Sequence, residues 1–242
     1  MSGSRRPAAW AVVCAISAIT TAGLLGASVF AASGADVSMA LPPAKSWPAP
    51  TPSPIPSPTA EVAQAEPTHV AIPAIGVDAD VKEFTLEDAA GSSSRRTGTS
   101  CLVDGLIICI NPPLFDLAYW MRAGAGGIAY GDMPGTEAQG NVYLIAHASH
   151  QVEAVFTDLY QLAVGDEIAV TNENGELTYQ VQEVVQVGKD SFTTMPQALE
   201  QVPGRLLLVT CYYGPSAEFQ GGSAAANVVV VAQLTEGKPV DS

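Results

Sequence analysis

Positive charge is scarce in this chain of 242 residues, which carries 10 Lys and Arg against 24 Asp and Glu and has a formal net charge of -14. Nucleic acids and anionic membrane surfaces are held by clustered cations, so we expect neither to be the main partner. Charged residues make up only 14% of the chain and hydrophobic residues 48%. This composition is typical of a folded protein and excludes a chain that is disordered throughout.

Sequence signatures of metal and nucleotide chemistry are also missing. The chain contains no Cys-x-x-Cys pair, no phosphate-binding loop and no His-Glu-x-x-His sequence. We therefore expect no metal and no organic cofactor. Histidine is rare as well, with only three residues, so each of them can be considered individually.

Residues 1–35 are interpreted as a membrane segment. Arg5 and Arg6 precede residues 8–32, which contain no charged residue and exceed the run of about 20 apolar residues that a helix needs to cross a bilayer. The paired arginines in front and Asp36 behind predict a cytoplasmic N-terminus. A cleaved signal peptide is the alternative, although the apolar cores of such peptides are usually shorter. Both interpretations export the remainder, and the first predicts a single-pass membrane protein with an extracellular domain.

The exported part divides by composition. Residues 36–67 are rich in Pro, Ala, Ser and Thr and predict a stiff, largely polyproline II linker that holds a domain away from the lipid. Residues 68–236 have the length of one folded domain, and residues 237–242 form a C-terminal tail. Export also affects the cysteines, since Cys14 lies in the apolar run and three others do not.

Three exported cysteines leave one without a partner. Cys101 and Cys109 flank the turn-like pair Asp104-Gly105, so we predict a disulfide between them. Cys211 then remains as a single thiol in an oxidising compartment. It is either a reactive group or a small buried apolar residue, and the cysteine count alone does not decide between the two.

The domain is predicted to be all-β, either a barrel or a sandwich. The turn pair Asn174-Gly175 predicts a hairpin between two of the strands. One helix of about three turns is predicted from Val155, Phe156, Leu159 and Leu162, which share one face of a helix. The predicted strands are short and separated by turn signals, and they comprise a bent strand over residues 70–77 and straight strands over residues 106–110, 141–145, 167–171, 177–187, 205–210 and 227–234.

A histidine and a cysteine each end a predicted strand. His147 follows the apolar run that begins at Gly140, and Cys211 follows the run that begins at Leu206. Taken singly, His147 and His150 are better interpreted as structural histidines, and His69 as an ordinary polar residue at a strand edge. Strand ends are nevertheless where rigid scaffolds present catalytic groups, and a thiol with an imidazole is the minimum for acyl transfer through a thiolate.

These two strand ends carry a resemblance to a known family. Leu208-Val209-Thr210-Cys211 resembles the nucleophile signature of sortases, the cysteine transpeptidases of Gram-positive cell surfaces, and residues 140–147 are similar to their histidine motif. Further similarity extends from Ile72-Pro73 to Val228-Val229-Val230 and is greatest to the actinobacterial classes F and E. The resemblance implies a closed β-barrel of about eight strands with one or two short helices, in which residues 68–236 are the catalytic domain.

Two departures from the family pattern stand out. Ala146-His147 replaces the usual Gly-His, a small change that keeps the imidazole. The second departure is larger, because sortases carry an Arg on the strand after the Cys and no Arg follows Cys211. Asn227 lies at that place and could donate a neutral hydrogen bond to an oxyanion. Other cations considered for the role are Arg122 and Arg205, whereas Lys238 lies too near the end of the chain.

The resemblance implies a transpeptidase. Cys211 would attack the Thr carbonyl of an LPxTG-like sorting signal on a surface protein and form a thioester, and His147 would serve as general acid and then as base for an amine of a cell-wall precursor or pilin. The missing Arg predicts a slow enzyme. The alternative is an impaired sortase homologue that acts as a surface-protein binding module. A cell-wall Cys/His hydrolase is disfavoured, since those enzymes usually place Cys before His.

Overall fold

The computed structural model describes residues 60–95, 97–107, 109–122, 131–189, 191–220 and 222–240. The predicted membrane segment, residues 1–35, and residues 36–59 of the predicted linker lie outside this part of the chain. Among the residues that are described, no helix combines the length and the apolar character needed to cross a membrane. The boundaries proposed at residues 68 and 236 stay predictions.

The described residues form twelve strands and two short α-helices. The elements are β1 (Pro67–Ile72), β2 (Val77–Glu83), α1 (Leu86–Gly91), β3 (Leu102–Val103), β4 (Leu106–Ile107), β5 (Ala118–Trp120), β6 (Val142–Ile145), β7 (Glu167–Asn172), β8 (Gly175–Gly188), α2 (Pro196–Leu199), β9 (Arg205–Cys211), β10 (Phe219–Gln220), β11 (Ser223–Ala224) and β12 (Ala226–Pro239). Eight strands close into a barrel in the order β1-β2-β5-β6-β9-β12-β8-β7, which confirms the all-β barrel expected from the sequence. Two more pairs, β3 with β4 and β10 with β11, form small separate hairpins.

The parallel pair of β6 and β9 is buried on both of its faces. Leu206 and Leu208 of β9 point into the barrel, whereas Leu207 and Val209 point outward into a second apolar cluster. This outer cluster includes Phe84, Ala89 and Ile107, which come from or adjoin α1 and the β3–β4 hairpin. Burial on both faces explains why these strands read as continuous hydrophobic runs instead of alternating patterns.

The predicted helix around residues 155–162 is wrong. The structure has a 3₁₀ turn at Leu159–Gln161, and the backbone bonds from Leu159 to Phe156 and from Leu162 to Leu159 span three residues each. Phe156, Leu159 and Leu162 repeat every three residues and all pack into the barrel interior. That spacing matches the three residues per turn of a 3₁₀ helix, in which such side chains lie in line.

The hairpin predicted at Asn174-Gly175 is present between β7 and β8, with Asn172 opposite Gly175. Its turn residues are Glu173 and Asn174. The buried Asn172 amide accepts from the N–H groups of Asn174 and Gly175 and donates to the carbonyls of Ala63 and Pro134. One side chain thus fixes both the turn and the segment that leads into β1.

Truncation of Leu208 to Ala should lower the free energy of unfolding by about 2–5 kcal/mol, because the loss of this fully buried side chain would leave a cavity in the barrel interior at β9. Urea unfolding followed by circular dichroism measures the effect. Leu199→Ala is the matched control, since that side chain is 55% exposed and its loss should change stability little. Equal effects in the two variants would contradict the assignment of Leu208 to the core.

Candidate active site

Cys211 lies at the end of β9 on the outer face of the barrel. Alternate side chains of a strand point to opposite faces, so Cys211 continues the outward row of Leu207 and Val209. The row is buried until Cys211, which is half-buried and carries the only free thiol among the described residues. The strand therefore presents its thiol where the apolar covering ends.

His147 lies alongside Cys211 on the neighbouring strand. β6 pairs in parallel with β9 with Ile145 opposite Val209, and the alignment continues beyond β6, since the Thr210 hydroxyl donates to the Ala146 carbonyl at 2.7 Å. Two residues further, the same register places His147 beside Cys211, on strands about 4.8 Å apart. Tyr143 and Ile145 point into the outer cluster, so His147 shares the outer face with the thiol. The structure thus brings the two predicted residues together.

The His147 ring is held in place by contacts with Pro112 and Phe115. Its Nε2 lies 2.7 Å from the carbonyl oxygen of Pro112, and the ring stacks on Phe115 with 4.2 Å between centroids. A carbonyl can only accept, so Nε2 carries the proton and donates. In the neutral ring, Nδ1 then has the free lone pair and is the nitrogen that can take up a proton from a reacting group.

A covalently closed loop supports the Pro112 carbonyl. Cys101 and Cys109 form a disulfide with their Cα atoms 4.8 Å apart. The Ser92 hydroxyl donates to the Asn111 carbonyl at 2.8 Å, and the N–H of Cys101 donates to the Ser92 carbonyl. The predicted disulfide pair therefore lies in the segment that orients His147.

The surroundings of His147 favour its neutral form. Burial lowers the pKa of His147 below the ordinary value of 6.5, the bond to the Pro112 carbonyl opposes this, and the charges of Arg95 and Lys189 lower the pKa further. Most His147 rings are therefore neutral at pH 7. Arg95 is exposed and contributes through its charge.

Asn227 faces Cys211 from the other side. In the antiparallel pairing of β12 with β9, Asn227 is directly opposite Cys211, and its neighbours Val229 and Val231 point into the outer cluster. The side chains of His147, Cys211 and Asn227 thus form one row across three adjacent strands. Asn227 is half-buried, as expected for a group at the edge of the apolar covering.

Lys189 lies within the stretch that resembles sortases but had no predicted role, and it is the charged group nearest to the thiol. Its Nζ donates to the Cys211 Sγ at 2.9 Å. Lys189 directly follows β8, whose Gly188 pairs with Ala226 of β12, and its own N–H donates to the Ala225 carbonyl. The lysine and the cysteine are 22 positions apart, and only the order of the strands shows that they meet.

The other proposed cations lie elsewhere. Arg122 follows β5, is 3.6 Å from the Glu83 carboxylate, and aligns with Val142, roughly 16 Å along β6 from His147. Arg205 begins β9 and donates to the Gln197 carbonyl at 3.0 Å. Lys238 pairs with Glu176 at the far end of β12. The expectation that Arg122 or Arg205 reaches the thiol is therefore wrong.

The two remaining histidines have separate contacts. His150 Nε2 is 2.7 Å from the carbonyl oxygen of Tyr213, two residues beyond Cys211, so its ring holds the loop that follows Cys211. His69 contacts Asp78 and Asp80 on β2. Within the described chain, no three His, Cys, Asp or Glu side chains are grouped closely enough to hold a metal ion.

An open groove of about 510 Å³ adjoins the row where β8 and β12 meet. One wall is formed by the end of β8 and the start of β12, and the other by the loop after Cys211. The lining residues are Gln186, Val187, Gly188, Ser216, Glu218, Ala225 and Ala226. Gly188 and Ala226 are the direct neighbours in sequence of Lys189 and Asn227, so the groove lies beside the row, although no residue of the row lines it.

Comparison with known proteins gives a family match over the second half of the chain. Residues 116–235 match the family model described as Sortase domain. Similar solved structures include sortase A from Listeria monocytogenes, with 16% identity, a TM-score of 0.45, and coverage of 74% of this chain and 93% of that one. Sortase C-1 from Actinomyces oris has 18% identity, a TM-score of 0.44, and coverage of 69% and 71%. No curated protein matches this chain.

The His147 ring should titrate with a midpoint below pH 6.5, measured by NMR of its ring protons and assigned by their absence in His147→Gln. Because the unfolded chain then binds more protons than the folded one between the lowered pKa and 6.5, stability should rise with pH across that window. The rise should be smaller in His147→Gln. A midpoint above 6.5 would contradict the burial of the ring.

Thiol labelling should modify one cysteine among the three that follow residue 60. Mass analysis of the native, unreduced protein should find label on Cys211 alone, and reduction should expose Cys101 and Cys109. Reduction should also loosen the Pro112 carbonyl and shift the His147 ring resonances. Label on all three cysteines before reduction would show that the disulfide does not form.

Proposed function

Residues 116–235 of this chain belong to the sortase family, and on that basis we propose that the protein is a cysteine transpeptidase that cleaves an LPxTG-like sorting signal and transfers the surface protein to an amine. The observation that carries the proposal is the placement of His147 and Cys211 side by side on the outer face of β6 and β9, with the thiol half-buried. A nucleophile and a general acid–base group are thereby positioned for one substrate bond.

In the first half of the reaction, the Cys211 thiolate attacks the Thr carbonyl carbon. A carbon–sulfur bond forms, and the carbonyl electrons move to oxygen as an oxyanion. When this intermediate collapses, the carbon–nitrogen bond breaks and protonated His147 gives a proton to the leaving amine. The products are a thioester on Cys211 and the released C-terminal peptide.

In the second half, an amine of a cell-wall precursor or pilin attacks the thioester. Neutral His147 takes a proton from the attacking nitrogen, and collapse of the intermediate releases the Cys211 thiolate with a new amide bond. The lowered pKa of His147 favours this half at neutral pH, since it keeps the ring in the base form. The first half needs the acid form, so thioester formation should slow as pH rises above that pKa.

The cellular setting is part of the proposal. A retained anchor formed by residues 1–35 would fix the enzyme to the cell membrane by one segment, and the linker would hold the catalytic domain outside, where sorting signals and amine acceptors meet. The motifs favour actinobacterial class F or E. Without an Arg after Cys211, a binding module that holds surface proteins without turnover is the second candidate.

A slow reaction was expected because Asn227 offers only a neutral donor at the place of the family Arg. Loss of one oxyanion donor typically costs a factor of about 10²–10³ in rate. This expectation assumes that no other cation reaches the thiol. The contact of Lys189 with Cys211 contradicts this assumption, so the missing Arg alone is no longer a reason to expect a slow reaction.

Incubation of the full chain with a library of sorting-signal peptides should yield a mass adduct on Cys211 that hydroxylamine releases. Cys211→Ala should abolish the adduct while leaving the fold intact, and His147→Ala should reduce it by at least about 10². His150→Ala should keep most activity, and His69→Ala is the neutral control, since its ring contacts only β2 in the described chain.

Unchanged turnover in Cys211→Ala would end the enzymatic proposal. Peptide binding by the wild-type chain without any adduct would favour the binding module. A stronger loss in His150→Ala than in His147→Ala would show that the other histidine is the acid–base group.

A further inference from the structure

We propose that Lys189 is a catalytic residue of this chain: its ammonium pairs with the Cys211 thiolate before reaction and then donates to the oxyanion of the substrate. It would thus supply the positive charge that an Arg on the strand after the Cys supplies in other sortases. The first role depends on the contact between Lys189 and Cys211, and the second rests on the proposed transpeptidase function.

Direct contact between the two side chains supports the first role. Lys189 Nζ is 2.9 Å from Cys211 Sγ, and an ammonium can only donate, so sulfur is the acceptor. A hydrogen bond between two ionised partners is roughly twice as strong as one between neutral groups. The contact is therefore suited to hold the sulfur in its nucleophilic form, the thiolate.

The backbone of Lys189 is held in place before any substrate binds. Gly188 pairs with Ala226, the N–H of Lys189 donates to the Ala225 carbonyl at 3.3 Å, and the N–H of Ser191 closes a turn onto the Gly188 carbonyl at 3.0 Å. The side chain thus starts from a fixed point at the end of a long strand pair. A fixed point of origin reduces the entropy lost when the flexible side chain contacts sulfur.

The Lys189 side chain reaches across a strand to make this contact. β12 lies between β8 and β9 in the barrel, so the Lys189 side chain must cross β12 to reach Cys211. Ala225, whose carbonyl accepts from the Lys189 N–H, lies in the stretch where the family carries its Arg. β12 lacks the family Arg, and Lys189, which follows the neighbouring strand β8, supplies a cation in its place.

The same ammonium can serve the transition state without transferring a proton. When the Cys211 thiolate attacks, sulfur becomes the neutral atom of a new carbon–sulfur bond and the negative charge moves to the carbonyl oxygen. Lys189 stays protonated throughout and exchanges its bond to sulfur for a bond to that oxygen. Asn227, directly opposite Cys211, can donate a second, neutral hydrogen bond.

Lys189 also influences His147 by its charge. Burial is the main reason that the pKa of His147 is lowered, and Lys189 adds to the lowering. Removal of the lysine charge should therefore raise the pKa of His147. This effect gives a spectroscopic signature that a merely structural role of Lys189 would not produce.

The test compares full-length Lys189→Gln, Lys189→Met and Lys189→Arg with wild type in detergent, with Lys238→Gln as the matched loss of charge at the far end of β12. The rate of iodoacetamide alkylation at pH 7 is followed on the peptide that contains Cys211. We expect roughly tenfold slower alkylation in the Gln and Met variants, near wild-type rates in Lys189→Arg, and no change in Lys238→Gln.

Two further measurements accompany alkylation. The NMR midpoint of His147 should move to higher pH in Lys189→Gln and Lys189→Met, and thioester formation with a sorting peptide should fall by about 10². Urea unfolding of each variant shows that it is folded. The Met variant keeps the length of the side chain, so it separates loss of charge from loss of packing.

The family Arg provides a rescue. In a Lys189→Gln background, Asn227→Arg or Ala225→Arg should restore most of the lost rate of thioester formation, because the guanidinium is a permanent cation at the place it has in the family. In the wild-type background the same substitutions should accelerate the reaction little, since Lys189 already supplies a charge.

Unchanged alkylation together with an unchanged His147 midpoint in the folded Gln and Met variants would overturn the proposal. A large gain from Asn227→Arg in the wild-type background would count against it too. Slower alkylation in a protein that forms no adduct with any peptide would support the lysine–thiolate pair and overturn the transpeptidase function, so the two failures are distinguishable.

Discussion

The register between β6 and β9 is the constraint on which the site depends. These strands are parallel, with Val142 opposite Leu206 and Ile145 opposite Val209. A shift of either strand by one residue would turn every side chain to the other face, so His147 or Cys211 would point into the barrel. Burial of both faces resists such a shift, because the whole apolar pattern of the strand would be displaced with it.

The sequence was sufficient to predict the barrel and to single out His147 and Cys211, which the structure places on neighbouring strands, for a physical reason. Strand β9 is an apolar run that ends abruptly at Cys211, and β6 is a similar run that ends just before His147. The end of an apolar run can be read directly from the amino-acid sequence. The helix expected at residues 155–162 failed because apolar spacing of three and four was read as an α-helix, whereas the buried residues repeat strictly every three.

The role of Lys189 was not predictable in the same way. Its contact with Cys211 depends on the position of β12 between β8 and β9, and that order is set by pairings between residues far apart in the chain. The family pattern predicts an arginine near the thiol. The structure instead places Arg122 beside the Glu83 carboxylate and Arg205 at the Gln197 carbonyl. Pro112 was missed for a related reason, since a backbone carbonyl has no signature in the sequence.

The unequal lengths of the barrel strands affect how a peptide can be recognised. β7 pairs with β8 only as far as Gln180, so residues 183–188 of β8 pair with β12 alone and leave an edge to which an extended peptide could add as a further strand. This edge ends next to Lys189 and therefore runs toward Cys211. Loops around the thiol can change in length and sequence while this edge and the β6–β9 register stay the same. The surface that contacts a peptide can thus vary without any change in the row formed by His147, Cys211 and Asn227.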